Sequence, residues 1–298
     1  MSQKILVIGS SNTDMVVKTV DFPLPGQTVL GGKFLMNPGG KGANQAVAAS
    51  RLGANVRFVT RVGDDIFGQQ ALEGFRKENL DIEFTGIAKE IASGVALITV
   101  AESGENQIVV ASGANMDLKP ENLSDTIFQD TAFALLQLEI PIETVQYAIQ
   151  KCKDLDIKVI LNPAPATKLD ESILNGLYLI TPNETETEIL TGIRPDSPAN
   201  LLEAGHTFLK RGVQNVLITL GKEGVFFMNH NLTETIPAQV VQAVDTTAAG
   251  DVFNGALITA LANGKDFIEA CHFANKAAAL AVTRMGAQSS APYIHELN

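Results

Sequence analysis

The 298-residue sequence contains no tryptophan, only two cysteines and only four histidines. Cys152 and Cys271 are too few and too far apart for a disulfide framework or a cysteine metal cluster, so we expect two buried thiols in a reducing compartment. The histidines form no H-E-x-x-H pair, and G-x-S-x-G, H-R-D and D-F-G elements are missing. These absences argue against zinc hydrolases, α/β-hydrolase esterases and protein kinases.

Positive charge is also scarce, since 22 lysines and arginines face 33 aspartates and glutamates and the net charge is −11. Such a chain is repelled by a nucleic-acid backbone, so we expect no nucleic-acid partner. No apolar run approaches the roughly 18 residues of a membrane span. The first apolar run, Ile5 to Ile8, is too short for a signal peptide. We therefore expect a cytoplasmic protein without a membrane partner.

The length and the 45% hydrophobic content predict one large globular domain over residues 1–298. Short β-branched runs alternate with amphipathic stretches, a pattern typical of an α/β protein with a mainly parallel sheet. Helical spacing is clear at Phe67, Ala71, Leu72 and Phe75, and in the alanine-rich stretch from Phe267 to Thr283. The predicted strands are Ile5 to Ile8, Val56 to Thr60, Ala132 to Leu136, Lys158 to Leu161, Tyr178 to Ile180 and Val216 to Thr219.

Two regions, Asp14 to Phe34 and Gly94 to Ala111, interrupt the alternation of strands and helices. In the second region, Val95 to Val100 and Gln107 to Ala111 flank a short polar turn, as in a β-hairpin. We infer that both regions pair into a small sheet beside the main body, with one face toward the ligand cleft. A sheet with open edges is often covered by a second protomer. A pair of surface hairpins is the alternative.

The segment Asp245-Thr-Thr-Ala-Ala-Gly-Asp251 precedes a strongly apolar helix. The backbone amides of Ala248, Ala249 and Gly250 would therefore lie at a helix N-terminus, where they can stabilise a developing phosphate charge. Asp251, in the first turn, can accept a proton from a substrate hydroxyl. The alternative is an aspartate that serves only the helix dipole.

A second glycine-rich segment, Asn37 to Asn44, opens another helix. It is neither a P-loop, because Lys41 is followed by glycine, nor a G-x-G-x-x-G motif, because position 45 is Gln. Its glycines free the backbone to surround a small polar ligand, and Lys41 and Asn44 supply donors. The alternative is a plain turn from loop to helix.

Further polar residues follow predicted strands, at the edge where open α/β sheets bind ligands. Asn12 and Asp14 offer donors and acceptors suited to the adjacent hydroxyls of a sugar, although the same residues occur in ordinary turns. Glu139 follows another strand. Asn183 and Glu186 have the spacing of a capping box, and they also offer oxygen atoms suited to Mg²⁺ near a nucleotide. The loop from Thr219 to Gly224 either borders a nucleotide or turns a hairpin.

With these motifs the chain resembles the PfkB-type carbohydrate kinases over essentially its whole length. Gly9 to Asp14 resembles the family's sugar-binding start, Gly39 to Asn44 its first signature and Asp245 to Asp251 its second. The resemblance implies a doubly wound sheet flanked by helices, with a small β-sheet lid, formed by about 12–36 and 93–112, through which two copies form a homodimer. It also implies ATP-dependent phosphorylation of D-ribose at the 5-hydroxyl.

The resemblance assigns roles to individual residues. Asp251 would be the catalytic base and Ala248, Ala249 and Gly250 the anion hole. The implied sugar contacts are Asn12, Asp14, Gly40, Lys41, Asn44, Glu139 and Asp251. The implied ATP contacts are Asn183, Thr219, Leu220, Gly221, Lys222, Glu223, Gly224, Gly250 and Asn275. Glu186 would act on ATP-bound Mg²⁺ through water, and an activating K⁺ would bind mainly carbonyls of Asp245, Thr247, Ala281, Arg284, Gly286 and Ser290.

Two alternative functions stay open at this point. Another sugar or nucleoside kinase of the same family is one of them. A sugar-phosphate kinase would need a basic cluster at the sugar end, where only Lys41 is present, and a nucleoside kinase would need an aromatic shelf, for which the lid segments offer mainly Phe34. A non-catalytic sugar-binding protein is the other, and it would have no need for a carboxylate at position 251.

Overall fold

The computed structural model describes residues 4–297, and residues 1–3 and 298 of the predicted domain lie outside this range. An eight-stranded sheet forms its centre. From one edge to the other its strands are β14 (Thr233–Ile236), β13 (Val225–Asn229), β12 (Asn215–Thr219), β11 (Leu179–Ile180), β10 (Lys158–Leu161), β9 (Thr131–Leu136), β1 (Lys4–Ile8) and β4 (Val56–Val59). The strands from β12 to β4 are parallel, whereas β13 and β14 add an antiparallel edge.

Helices cover both faces of this sheet, as the α/β alternation predicts. Along β1, Ile5 and Val7 belong to one buried cluster and Leu6 and Ile8 to the other, because successive side chains point to opposite faces. The first cluster is completed by α1 (Lys41–Arg51), α2 (Ile66–Lys77), α7 (Ala249–Ala262) and α8 (Phe267–Ala281). The second is completed by α3 (Ile142–Asp154), α4 (Glu171–Leu174), α5 (Glu184–Thr191) and α6 (Pro198–Lys210). The doubly wound architecture is therefore confirmed, and both cysteines are buried.

A separate four-stranded sheet, called here the small sheet, stands beside the main body. It has the order β3 (Phe34–Gly39), β2 (Asn12–Thr19), β7 (Gly94–Ala101), β8 (Asn106–Ala111). The predicted hairpin is confirmed, since β7 and β8 are antiparallel, and the two distant regions are joined by the parallel pairing of β2 with β7. Every residue of β8 is exposed, so this edge is open to solvent.

The strand boundaries differ from the prediction in informative places. The segment Asn37-Pro-Gly39, interpreted as part of a loop, is the end of strand β3. Pro38 is accommodated because β3 is an edge strand, where a missing N–H breaks no ladder bond. The sequence interpretation implied β13 only through the hairpin alternative for the Thr219 to Gly224 loop. It missed β14 and a short parallel pair formed by β5 (Arg61–Gly63) and β6 (Gly86–Ala88). Short strands of this kind give little periodic signal.

Candidate active site

The predicted site residues lie mainly where the parallel strands end. β1 leads through Gly9, Ser10 and Ser11 into Asn12, and Glu139 follows β9. Asn183 follows β11 and pairs with Thr219 at the end of β12 in an isolated parallel bridge. These positions occupy the carboxyl edge of the sheet, which is where open α/β sheets hold their ligands.

Helix α7 brings its first turn to the same edge. It begins at Ala249, and Ala248 before it adopts a left-handed conformation with φ 59° and caps the helix without a side-chain hydrogen bond. The Ala249 amide donates to the Thr246 carbonyl at 3.2 Å, whereas no acceptor among residues 4–297 takes the amides of Ala248 or Gly250. A Cβ built on Gly250 would meet nothing within 4 Å. The turn therefore offers unpaired N–H groups beside open space, as an anion site requires.

Asp251 is 6% exposed and is held by two amides from α1. Asn44 Nδ2 donates to its Oδ2 and Gln45 Nε2 to its Oδ1, both at 2.9 Å. Burial raises the pKa of Asp251 above its usual value, and the charge of Lys41 and the two amides act in the opposite direction. Its carboxylate is thus fixed and desolvated, which suits a general base.

The contact between α1 and α7 depends on small residues. A Cβ added to Gly255, one turn after Asp251, would lie 2.7 Å from the Ala48 Cβ and 2.7 Å from the Gln45 carbonyl. The glycine therefore lets the two helix backbones approach closely. This approach brings the Asp251 carboxylate within reach of Asn44 and Gln45.

Lys41, the first residue of α1, is surrounded by carboxylates. Burial alone would lower its pKa, but Asp251, Glu139, Glu186 and Asp14 outweigh that effect and raise it. The side chain is therefore a cation at neutral pH. Its position links the predicted sugar contacts with Glu186, which lies on the predicted nucleotide side.

The sugar end of the site is rich in acceptors. Glu139 Oε2 accepts from Ser10 Oγ at 2.6 Å and from the Lys41 amide at 3.0 Å, which fixes the entry into α1. Burial raises the pKa of Asp14 to about 6, with further contributions from Glu139 and Asp251. Acceptors at this density match a ligand with several hydroxyl groups.

Asn12 is oriented by a residue that the sequence interpretation missed. Asn115 Nδ2 donates to Asn12 Oδ1 at 2.7 Å, and Asn115 Oδ1 accepts from the Ser11 amide at 2.8 Å. A Cβ on Gly94 would lie 2.2 Å from Asn12 Oδ1, so glycine is needed there. The local sequence around Asn115 does not predict this contact, because its partner is 103 residues away.

On the predicted nucleotide side, the capping-box alternative is confirmed. Asn183 Oδ1 accepts from the Glu186 amide and Glu186 Oε2 accepts from the Asn183 amide, both at 2.8 Å. Burial raises the pKa of Glu186, with Asp251 adding to the effect and the Asn183 amide and Lys41 opposing it. A role for the two residues near Mg²⁺ stays a prediction, and the cap leaves Glu186 Oε1 for it.

The hairpin alternative for the Thr219 to Gly224 loop is also confirmed, since it joins β12 to antiparallel β13. Gly221, Lys222 and Glu223 are exposed there. Asn275 is buried, and its Nδ2 donates to the Pro237 carbonyl at 3.1 Å, which joins α8 to the end of β14. The nucleotide contacts of the loop and of Asn275 stay predictions.

Asp245 holds two of the other predicted cation residues, Thr247 and Gly286. Its Oδ1 accepts from the Thr247 amide and its Oδ2 from the Gly286 amide, both at 2.9 Å. Burial opposes ionisation, but these hydrogen bonds outweigh it and lower the pKa of Asp245. The amide of Asp245 itself donates to the Val282 carbonyl at 3.1 Å. Two chain segments 41 residues apart are thereby held side by side.

A buried aspartate beside unpaired backbone amides, at the carboxyl edge of a doubly wound sheet, is the arrangement expected of a small-molecule kinase. Residues 2–294 match the family described as pfkB family carbohydrate kinase. The chain therefore belongs to the pfkB family of carbohydrate kinases. No helix among residues 4–297 is long and apolar enough to cross a bilayer.

Individual relatives are similar over almost their full length. A ribokinase from Haemophilus influenzae is 43% identical over 294 residues, which cover 98% of this chain and 96% of the relative. A deoxyribokinase from Salmonella typhimurium is 38% identical, with 99% of this chain and 97% of the relative covered. The structure of Arabidopsis thaliana ribokinase complexed with ribose and ATP has a TM-score of 0.94 and 31% identity, with 100% of this chain and 98% of that chain covered.

Proposed function

We propose that this protein catalyses the ATP-dependent phosphorylation of D-ribose at its 5-hydroxyl, giving D-ribose 5-phosphate and ADP. The observation that carries the proposal is the position of Asp251. It is a buried carboxylate in the first turn of α7, one residue after the open Gly250 amide and in contact with Asn44 of the sugar-binding helix. A base next to an anion site is what phosphoryl transfer to an alcohol requires. The ribokinases among the relatives, one of them in complex with ribose and ATP, support ribose as the acceptor.

In this proposal the sugar binds between the small sheet and α1. Asn12, Asp14 and Glu139 accept from or donate to its hydroxyl groups, together with Lys41, Asn44 and the Gly40 backbone. Gly40 has φ 89°, and a Cβ there would lie 2.7 Å from the Asn12 amide nitrogen. Only glycine lets the chain turn this closely against Asn12.

Asp251 accepts the proton of the 5-hydroxyl while that oxygen attacks the γ-phosphorus. The backbone amides of the Ala248–Gly250 turn stabilise the charge on the transferring group, with those of Ala248 and Gly250 fully available. Lys41 adds positive charge on the sugar side. Because these dipoles and charges act at short range, they outweigh the distant and salt-screened net charge of −11.

ATP would lie along Asn183, the Thr219 to Gly224 loop and Asn275. Mg²⁺ bound with ATP supplies positive charge to the phosphates. Among residues 4–297 no three His, Cys, Asp or Glu side chains converge as metal ligands, which fits a metal held by phosphates and water. Glu186, with one carboxylate oxygen left by its cap, would hold such a water.

A monovalent cation, K⁺, would bind beside the anion-hole turn. The carbonyl groups of Thr247, Ala281, Arg284, Gly286 and Ser290, together with Asp245, would hold it, and neutral carbonyls are suitable ligands for such an ion. The structure fits this expectation because Asp245 hydrogen bonds gather two of these segments. A cation here would fix the conformation of the loop that leads into Ala248.

We also propose a cytoplasmic homodimer in which the small sheet is both lid and interface. Its strands expose apolar side chains on both faces, including Leu97 (52% exposed) and Ile108 (52%). These two residues belong to adjacent cross-strand pairs and therefore point to opposite faces. One face can cover the sugar while apolar surface remains for a second copy.

Deoxyribose is a second candidate acceptor, because a deoxyribokinase is among the relatives at 38% identity. A coupled assay of ADP release over ribose, deoxyribose, fructose, fructose phosphate and adenosine, each with and without K⁺, tests the proposal. We expect the highest kcat/KM for ribose in the presence of K⁺. Ribose binding without ATP consumption would instead favour a non-catalytic sugar-binding protein.

A further inference from the structure

A chain of buried side-chain amides connects Asp251 with the central strands of the sheet. Gln45 Nε2 donates to Asp251 Oδ1 and to Asn162 Oδ1, both at 2.9 Å. Gln137 Nε2 donates to Gln45 Oε1 at 2.6 Å. Gln45 and Gln137 are 0% exposed and Asn162 is 7% exposed. Hydrogen bonds through Gln45 therefore connect the carboxylate to Gln137 and Asn162, which directly follow β9 and β10.

The pattern of donors fixes how the amides of Gln45 and Asn162 are oriented. Gln45 Oε1 accepts from Gln137, so its Nε2 must face Asp251 and Asn162. Asn162 Nδ2 donates to the Thr181 carbonyl at 3.2 Å, so its Oδ1 must face Gln45. A rotation of either amide by 180° would place two donors or two acceptors against each other. The network thus presents an N–H group to Asp251 in a single orientation.

A second branch leads from Thr181 to the anion-hole turn. Thr181 Oγ1 donates to Asn254 Oδ1 at 2.7 Å, and Asn254 Nδ2 donates to the Gly250 carbonyl at 2.8 Å. Thr181 and Asn254 are 1% and 2% exposed. One branch of this buried network therefore ends on the Asp251 carboxylate, which the proposed reaction uses. The other ends on the Gly250 carbonyl, in the peptide bond that joins Gly250 of the anion hole to Asp251.

We propose that Gln45, Asn162, Thr181 and Asn254 are positioning residues that hold the Asp251 carboxylate and the Gly250–Asp251 peptide in register with each other. The inference rests on the proposed kinase function. Buried amides and hydroxyls stabilise a core no better than apolar groups of the same shape, so stability alone does not account for the network. A carboxylate that is fixed, on a first helical turn that is itself held in place, needs no reorganisation during the reaction.

Two variants separate the branches. Asn162→Ala removes one of the two acceptors of Gln45 Nε2, together with the bond to the Thr181 carbonyl. It leaves Asp251 and its charged neighbours Lys41, Glu139, Asp14 and Glu186 in place. We expect kcat to fall about 10- to 100-fold, because small displacements of a reacting group have effects of this size. We expect ribose Kd from calorimetry to change less than about 3-fold, since no sugar contact is removed.

The pH profile of kcat/KM separates a positioning role from a general loss of structure, which would leave the profile unchanged. An N–H donor stabilises the charged carboxylate, so a loosened Gln45 in Asn162→Ala should move the acidic limb of kcat/KM to higher pH. Thr181→Val, which is nearly isosteric, removes the Asn254 bond and a long 3.5 Å bond from Thr181 Oγ1 to the Leu161 carbonyl, and it leaves Gln45 untouched. We expect it to lower kcat about 10-fold without moving that limb.

Thr144→Val is the matched control. Thr144 is 0% exposed and loses a 2.6 Å hydrogen bond to the Leu118 carbonyl, but it lies on α3 outside the site. We expect a lower Tm with wild-type kcat and pH profile. Wild-type kcat in folded Asn162→Ala or Thr181→Val would overturn this inference but not the proposed function. An unshifted acidic limb in Asn162→Ala would do the same. A wild-type enzyme that does not phosphorylate ribose would overturn the proposed function as well. If Asn162→Ala does not fold, Thr181→Val decides.

Discussion

The Asp14 carboxylate occupies the space that a side chain at Gly39 would fill. A Cβ at position 39 would lie 2.3 Å from both carboxylate oxygens, and the two residues belong to the paired strands β2 and β3. Gly39 is not among the residues with positive φ, so alanine fits its backbone conformation. The three atoms nearest to a methyl group at this position all belong to Asp14, so its main effect acts through that residue.

We expect Gly39→Ala to weaken ribose binding by about 1 to 3 kcal/mol, because the displaced carboxylate leaves sugar hydroxyls without a partner. Calorimetric titration with ribose measures this directly. Gly74→Ala is the control, since a Cβ there meets nothing within 4 Å and alanine favours the α2 helix. Equal ribose affinity in both variants would remove Asp14 from the sugar site.

Asp14 also predicts a pH-dependent stability. Burial raises the pKa of Asp14 in the folded protein to about 6, above the usual 3.8. The protonated carboxyl group therefore stabilises the fold fully below about pH 4, and this stabilisation is lost as the pH rises through 6. The Asp14→Asn side chain cannot ionise. Between pH 4 and 8 the free energy of unfolding of this variant should therefore rise relative to that of the wild type, by at most about 3 kcal/mol. Tm measured across this range tests the sign.

Asp21→Asn is the control for this series because Asp21 is exposed in the connection between β2 and β3. We expect its Tm to follow the wild type at every pH. A constant difference in Tm between Asp14→Asn and the wild type from pH 4 to 8 would mean that Asp14 is not buried among like charges.

The sequence predicted the elements whose pattern is local. Helix α2 and the hairpin of β7 and β8 follow from short-range periodicity, and the capping box at Asn183 from a three-residue spacing. The motif that ends at Asp251 was similarly visible, because a small-residue turn before an apolar helix is a local signal. All of these depend on residues that are neighbours in the chain.

The sequence did not predict the contacts that complete the site. Gln45 reaches Asp251 across 206 residues, and this contact exists because Gly255 lets α7 lie directly on α1. Gln45 follows directly after Asn44 of the predicted motif, so the sequence could have indicated that Gln45 lies near the site. It could not have indicated that Gln45 contacts Asp251. Asn115 gave no signal at all. Contacts between distant segments depend on packing, which periodicity does not encode.

The exposed apolar residues of the small sheet lead us to expect a dimer, and a single charged substitution in this sheet should weaken it. We expect the wild type to sediment at about twice the 31.7 kDa chain mass, because exposed apolar strands favour pairing. Leu97→Asp and Ile108→Asp place a charge on opposite faces, and at least one should give a monomer. Val240→Asp is the control, since Val240 is fully exposed outside this sheet. A monomeric wild type at micromolar concentration would contradict the interface.

The cation loop predicts a specific defect for Asp245→Asn. In asparagine an NH₂ group replaces one of the two carboxylate oxygens, so either the Thr247 amide or the Gly286 amide faces a donor and loses its bond. We expect the K⁺ concentration for half-maximal activity to rise about 10-fold, and replacement of K⁺ by Na⁺ or a bulky organic cation to lower wild-type activity. Glu203→Gln, an exposed change on α6, is the control. Activity that is indifferent to the cation would exclude the site.

The sharpest test of the mechanism is Asp251→Asn. Both oxygens of Asp251 accept amide N–H groups, so the new NH₂ group must face a donor from Asn44 or Gln45. We therefore expect a loss of stability of about 1 to 3 kcal/mol, visible as a lower Tm, together with a kcat reduced by about 10² to 10⁴. Ribose affinity should be largely retained, because the other sugar contacts remain. Calorimetry and single-turnover kinetics below the new Tm separate these effects, and near-normal turnover in folded Asp251→Asn would show that another group accepts the proton.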